Sequence, residues 1–305
     1  MRIIHLSDLH LCREYRTHNI KKADLLLSGA LDAGADHIVI TGDLSHLGRE
    51  EDFRIFRHLL KKHGLLDPGK VSLTIGNHDI FGGIHFADEI LNFPGNCRRI
   101  RYKDRVALFT EYFSELFADT VHTDPAAPFP YLKIIDNLAF IGLNSIAGYS
   151  WLKNPMASNG EIPPGQLSGF ERLIEDHRVA GKTKVVLVHH HFGINGSEPR
   201  NFLERIEHHT MQLWNQNRIL KLFMNTGIDL VLHGHLHINN QYMIKGIRFV
   251  NGGASVEGVS RDMVNLNVVD IDEDRMNIMN RSYSLPEQQK EEIYHAGPYI
   301  PVFAG

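Results

Sequence analysis

Met1-Arg2-Ile3-Ile4-His5-Leu6-Ser7-Asp8-Leu9-His10 reads as a short apolar strand that stops on Asp-x-His. The pattern returns along the chain. Ile38-Val39-Ile40 runs into Gly42-Asp43, and Val71-Ser72-Leu73-Thr74-Ile75 into Gly76-Asn77-His78-Asp79. Val185-Val186-Leu187-Val188 runs into His189-His190-His191, and Leu230-Val231-Leu232 into Gly234-His235-Leu236-His237. Each run is short, rich in β-branched residues and close to a turn signal, which predicts a buried strand. In open sheets flanked by helices, ligands sit in the crevice at the carboxyl ends of the strands. Polar clusters at all of these ends predict one shared metal centre.

Between the strands the period changes. Asn19 to Ala33 carries Leu25, Leu26, Ala30 and Leu31 at helical spacing, with Gly34 as a stop. Glu50 to His63 places Phe53, Phe56, Leu59 and Leu60 on one face, and Gly64 closes it. Strand–helix–strand–helix order predicts a start with parallel strands. Residues 81–130 break the pattern, with a helix expected from Lys103 to Phe117 and a Pro-rich exit. Strands are expected at Tyr131 to Ile135 and Leu138 to Asn144, joined by a turn at Asp136-Asn137. Helices follow around Leu167 to Ile174 and Phe202 to Asn225. Gln241 to Ile244, Ile247 to Val250 and Leu266 to Ile271 read as a closing β layer, about 240–284. The donor clusters run from Asp8 to His237, so one domain over 1–305 is expected.

Composition narrows the function classes. The 305 residues carry a formal net charge of −4, which gives no reason for avid binding to bulk nucleic acid or anionic membranes. Two cysteines, Cys12 and Cys97, make a poor disulfide framework and no paired-Cys zinc motif, so a reducing, cytoplasmic setting is expected. No apolar run approaches a membrane span. A homodimer is compatible with the sequence.

Asp8 and His10 lie two apart, as do His235 and His237, so each pair can reach one centre from a strand end. Carboxylate, imidazole and amide oxygen form a mixed O/N donor set that suits Mn, Fe, Zn, Ni or Co better than Ca or Mg alone. The absence of thiolates disfavours a structural zinc site. Seven donors exceed what one tetrahedral ion needs, whereas two ions sharing a carboxylate use them all. Each cluster alone has a bland reading: Asp-x-His is a cap beside a surface imidazole, and Gly-Asp is a turn. Order, strand context and donor count together outweigh it.

Read together, Ser-Asp-Leu-His, Thr-Gly-Asp-Leu, Ile-Gly-Asn-His-Asp, Leu-Val-His-His-His and His-Gly-His-Leu-His resemble the metallophosphoesterase (calcineurin-like) superfamily. Within it the chain is most similar to the class III cyclic nucleotide phosphodiesterase branch, on its length, the Leu143-Asn144-Ser145 strand end and the Gly160 to Phe170 approach to a helix. The resemblance implies an α/β fold: a four-layer α-β-β-α sandwich with two central mixed β sheets and a dinuclear site at strand C-terminal ends. It implies that Asp8, His10 and His237 bind one metal ion, that Asn77, His189 and His235 bind a second, and that Asp43 bridges them. The ions would be divalent or trivalent transition metals, with Mn, Fe or Zn foremost. His78 would be catalytic and Asp79 would orient it. Relatives carry Pro soon after the strand-end His, where this chain has His191-Phe192-Gly193; His189 is taken as the ligand because it directly follows Val188.

The activity implied is hydrolysis of small phosphate esters by a metal-bridging hydroxide, with phosphodiesters such as cyclic nucleotides foremost. A DNA or RNA nuclease of the same superfamily is the second reading, and the acidic balance disfavours it. A non-catalytic binding module is the third, disfavoured because no donor is missing. The excursion at 81–130 is expected to act as a cap. Its basic run with Arg98, Arg99 and Arg101 reads first as a solvated face, and in the cap reading it adds contacts to a phosphate or to a second acidic group on the substrate. Its alternative is packing over the sheet edge or in a dimer through Leu108, Tyr112, Phe113 and Leu116. His46 and His85 lie near the site along the chain without an assigned role.

Overall fold

A computed structural model of the chain describes residues 1–193, 211–257, 262–272 and 275–287. The apolar runs form strands buried on both faces, and alternate residues serve different layers. β1 (Arg2–Leu6), β2 (His37–Thr41) and β3 (Val71–Thr74) lie side by side and parallel. Ile3 and Val39 face an inner core, whereas Ile4, Leu6, Ile38 and Ile40 face helices. In β7 (Thr183–Leu187) and β8 (Leu230–His233), Val185, Leu187, Leu230 and Leu232 face the same inner core from the opposite side. Val186 and Val231 point outward to a separate helical layer.

The remaining strands complete two mixed sheets. They are β4 (Val121–His122), β5 (Tyr131–Ile135), β6 (Leu138–Gly142), β9 (Asn239–Ile244), β10 (Ile247–Gly252), β11 (Met263–Asp272) and β12 (Arg275–Ser284). One sheet has the order β12-β11-β1-β2-β3 and the other β4-β5-β6-β7-β8-β10-β9. Helices α1 (Thr17–Asp32), α2 (Glu50–Lys62) and α5 (Tyr102–Tyr112) contribute apolar residues to the outer face of the first sheet. Helices α6 (Pro164–Ile174) and α7 (Gln216–Asn225) do so for the second. The result is the four-layer α-β-β-α sandwich.

Some local expectations need correction. The strands expected as one closing β layer divide between the sheets: β9 and β10 extend the second, and β11 and β12 the first. β12 itself, Arg-Met-Asn-Ile-Met-Asn-Arg-Ser-Tyr-Ser, is an edge strand too polar to read as an apolar run. In α1 the buried stripe is Ala23, Leu26, Leu27 and Ala30, and Leu31 is exposed. The helix expected over Lys103 to Phe117 ends at Tyr112 and resumes as a 3₁₀ turn at Ser114–Phe117. There Arg57 donates to the Tyr112 carbonyl at 2.9 Å and pairs with Glu115, satisfying a helix-end carbonyl. Of the helix expected around Phe202 to Asn225, Gln216–Asn225 is helical, and residues 202–210 lie outside the described residues.

Between Phe81 and β4 lie α3 (Asn77–Phe81), a 3₁₀ turn at Ala87–Leu91 and α4 (Phe93–Arg99), then α5. Phe109 and Phe113 are buried against Phe53 and Phe56 of α2, so part of the apolar face expected at a cap or dimer packs within the chain. Among the described residues no helix is long and apolar enough to cross a membrane.

Candidate metal centre

All five donor-bearing strands end at the same edge of the sandwich, because β1, β2 and β3 are parallel neighbours and so are β7 and β8. The loops are tied across this edge. Asp8 N–H donates to Gly42 O at 3.1 Å, His10 N–H to Asp43 O at 2.9 Å, and Gly234 N–H to His189 O at 3.0 Å. Asp8, His10, Asp43, His235 and His237 all have φ between 44° and 77°, the left-handed region that side-chain-bearing residues avoid. Such strain persists only where surrounding structure over-determines it, and it concentrates at functional sites. The neighbouring glycines answer to close approach. A Cβ on Gly76 would lie 2.1 Å from Asp43 Oδ1, and one on Gly234 would lie 2.3 Å from Asp8 Oδ2.

The side chains converge in two groups. In one, His10 Nε2 faces His237 Nε2 at 2.9 Å, and Asp8 Oδ1 lies 3.7 Å from His237 Nε2 and 4.0 Å from His10 Nε2. In the other, His189 Nε2 faces Asn77 Oδ1 at 3.0 Å and His235 Nδ1 at 3.1 Å. Asp43 Oδ2 stands between them, 3.9 Å from His10 Nε2 and 3.4 Å from His189 Nε2. Asp8 also approaches the second group, since donor atoms of Asp8, Asp43 and His189 lie within 4.8 Å of one another. All of these residues are buried except His237, whose side chain is 37% exposed.

The donor chemistry fits cations. The Nδ1 of His189 lies 2.8 Å from the Thr41 carbonyl, to which it must donate. A neutral His189 would therefore turn a lone pair at Nε2 toward the oxygens of Asn77 and Asp43. Acceptors aimed at acceptors repel unless a positive charge lies among them. Metal–ligand bonds of about 2.0–2.2 Å require donors spaced much as these are. Electrostatics agree. Burial raises Asp43, but the imidazoles of His189 and His78 outweigh it and hold the carboxyl well below its usual range. Burial lowers His189, but the Asp43 charge outweighs it and lifts the imidazole to about 9. Burial pushes the Asp8 carboxyl up to about 6 against the pull of His189 and His237. The field at Asp43 favours positive charge.

His78 lies beside this centre, its Nε2 4.0 Å from Asp43 Oδ2. The expectation that Asp79 orients it is corrected. The Asp79 carboxylate accepts N–H bonds from Ser45 and Gly76, both at 2.9 Å, and so staples two donor loops together. The His78 ring instead donates from Nδ1 to the His46 carbonyl at 3.0 Å. Adjacent histidines also separate. His190 puts Nδ1 2.8 Å from Ser145 Oγ and Nε2 3.1 Å from Ser158 O, so both ring nitrogens are engaged away from the donor groups. Asn144 bonds Tyr102 and Ile146, which is a scaffold role.

His46 is buried, its ring centroid 5.3 Å from that of His78 and 5.8 Å from that of His85. His85 stacks on Tyr15 at 4.3 Å, so residues 82–86 border the site. Arg98, Arg99 and Arg101 are exposed, and Arg101 pairs with Asp104 at 3.0 Å. The contribution missed from sequence is the Thr41 carbonyl, since a backbone acceptor leaves no side-chain signature.

Solved structures share the fold. A dimetal phosphatase from Danio rerio superposes with a TM-score of 0.58 at 13% identity, covering 94% of this chain and 99% of its own. A purple acid phosphatase from yellow lupin (Lupinus luteus) seeds gives 0.53 at 12% identity, covering 100% of this chain and 57% of its own. No curated protein matches the sequence. The profile of calcineurin-like phosphoesterases matches residues 1–239, and the chain belongs to that family of phosphoric ester hydrolases.

Proposed function

We propose that this metal-dependent phosphoesterase is a phosphodiesterase for small diesters, with cyclic nucleotides as the first substrate class. The observation that carries the dinuclear reading is the placement of Asp43 Oδ2 between the two donor groups. Asp8, His10 and His237 would hold one ion and Asn77, His189 and His235 the other, with Asp43 shared. Manganese, iron or zinc suits this O/N set. Two bound ions supply neutralisation of phosphoryl charge and acidification of water. The chain's own residues do the rest. The buried carboxylates fix the ions' positions, and the Thr41 carbonyl fixes the tautomer of His189. His78, with Nδ1 committed to the His46 carbonyl, presents Nε2 to the centre. In its imidazolium form it gives the Nε2 proton to the leaving oxygen as the P–O bond breaks and is left neutral, to be reprotonated from solvent.

A net charge of −4 and exposed, partly paired arginines favour a small substrate over a duplex. One domain over 1–305, with the excursion 81–130 at its edge, belongs to the same reading. Residues 82–86, rather than the arginines, are then the part of the excursion that meets substrate. The test is a panel on manganese-loaded protein: bis(p-nitrophenyl) phosphate, p-nitrophenyl phosphate, cyclic nucleotides, glycerophosphodiesters and DNA. Small diesters should exceed the monoester and DNA in kcat/KM. A preference for DNA with steeply salt-dependent binding would replace this reading with the nuclease.

A further inference from the structure

Among the groups around His78, one has no side chain to offer. Gly83 donates its N–H to the His46 carbonyl at 2.8 Å, the same carbonyl that accepts Nδ1–H of His78 at 3.0 Å. A Cβ on Gly83 would lie 2.1 Å from His78 Cε1 and 2.3 Å from His78 Nδ1, and 3.0 Å from His46 Cε1. Those distances are far inside van der Waals contact, and the atoms met first belong to the imidazole. The φ of Gly83 is outside the left-handed region, so nothing in the backbone demands glycine there. The space for the ring demands it.

We propose that Gly83 is a positioning residue for His78: its bare α-carbon forms one wall of the slot holding the imidazole, and its N–H holds the His46 carbonyl where it receives Nδ1–H. The consequence is a fixed division of the ring nitrogens. Nδ1 carries its hydrogen permanently into the scaffold, and Nε2 alone exchanges a proton with the reaction. An alanine methyl must push the ring out of the slot, break the Nδ1–H bond and turn Nε2 away from the centre. Neither Gly83 nor the His78 ring is among the seven assigned donors, and the bond from His78 to Asp43 Oδ1 comes from its backbone N–H, so both ions should be retained.

This inference rests on the assignment of His78 as the proton donor to the leaving group, and the experiment separates the two. Wild type, Gly83→Ala, His78→Ala and the control Gly95→Ala, whose Cβ meets nothing within 4 Å, are loaded with manganese and assayed. The substrates are a cyclic nucleotide, whose alkoxide leaving group needs a proton, and bis(p-nitrophenyl) phosphate, whose phenolate does not. Gly83→Ala should lower kcat on the cyclic nucleotide by about 10²-fold or more, with KM and metal content near wild type. It should lower kcat on the activated diester by less than about threefold, a selectivity that general destabilisation would not produce. Gly95→Ala should match wild type on both.

If His78→Ala shows this selectivity and Gly83→Ala does not, the positioning role is overturned. Equal loss on both substrates for His78→Ala overturns the proton-donor assignment instead. Should Gly83→Ala fail to fold, long-range ¹H–¹⁵N spectra of zinc-loaded wild type decide. The His78 ring must show hydrogen on Nδ1, and a neutral ring with hydrogen on Nε2 alone contradicts the slot.

Discussion

The metal-facing edge and the sheet scaffold both contain buried imidazoles, and they use them in opposite ways. In the scaffold, His37 puts Nδ1 2.9 Å from Gly69 O and Nε2 2.9 Å from Ser72 Oγ, and His190 likewise engages both nitrogens. At the edge, His189 engages one nitrogen with the Thr41 carbonyl and turns the other toward the donor oxygens of Asn77 and Asp43. Burial is complete in both places, so burial does not mark a ligand. The arrangement of partners does. A ring that donates to a carbonyl from one nitrogen and accepts a hydroxyl hydrogen at the other is a structural wedge, whereas one that meets carbonyl and carboxylate oxygens from both nitrogens marks a place for positive charge.

That contrast predicts two kinds of mutant. The largest effect belongs to Asp43→Ala, which removes the oxygen shared by both groups. Bound metal should fall for both ions and kcat/KM by about 10³-fold or more, checked by elemental analysis beside the assay. His78→Ala should lower turnover by about 10²–10⁴-fold on an unactivated diester with both ions retained. Loss of metal there would move His78 into the donor set. Within the edge itself, His237 is partly exposed and His189 fully buried. His237→Ala should cost about 10–100-fold in activity and recover in excess manganese, while His189→Ala should not recover. Equal recovery would erase the distinction between the groups.

Scaffold mutants should do the reverse. His190→Ala removes the ring partners of the Ser145 hydroxyl and the Ser158 carbonyl, leaving Ser145 Oγ only the backbone N–H of residue 190, and opens a cavity, which should lower stability by about 2–3 kcal/mol in denaturant titration with metal content unchanged. The smallest effect concerns acid. Burial, opposed by the Gly69 contact, lowers His37 from 6.5 to about 3. Its folded value lies below its unfolded one, so its contribution is full above pH 6.5 and is lost as pH falls toward 3. His37→Leu should make stability less steep in pH across that window by up to about 1.4 kcal/mol per pH unit. An unchanged slope would show that His37 does not stay neutral in the folded state.

The strands were legible because full burial leaves continuous apolar runs, and the donor clusters because each run stops on polar residues. The four-layer sandwich and the sorting of donors into two groups came from the family resemblance those clusters carry. His189 was preferred over His190 for its place directly after Val188, and the engagement of both His190 nitrogens elsewhere supports that preference without testing it. What stayed hidden was carried by backbone or by edges. The carbonyls of Thr41 and His46 orient His189 and His78, and no side chain announces them. Asp79 misled because adjacency in sequence suggested a contact with His78, while its carboxylate turns to the N–H groups of Ser45 and Gly76. β12 was missed because an edge strand alternates polar residues, and the division of the last four strands between sheets depends on long-range pairing.

The most direct test of the account is anomalous diffraction from crystals loaded with manganese. Two peaks about 3.5–4 Å apart should flank Asp43 Oδ2, one among Asp8, His10 and His237 and the other among Asn77, His189 and His235. A single peak, or a pair ligated by His190 with His189 uninvolved, would contradict it.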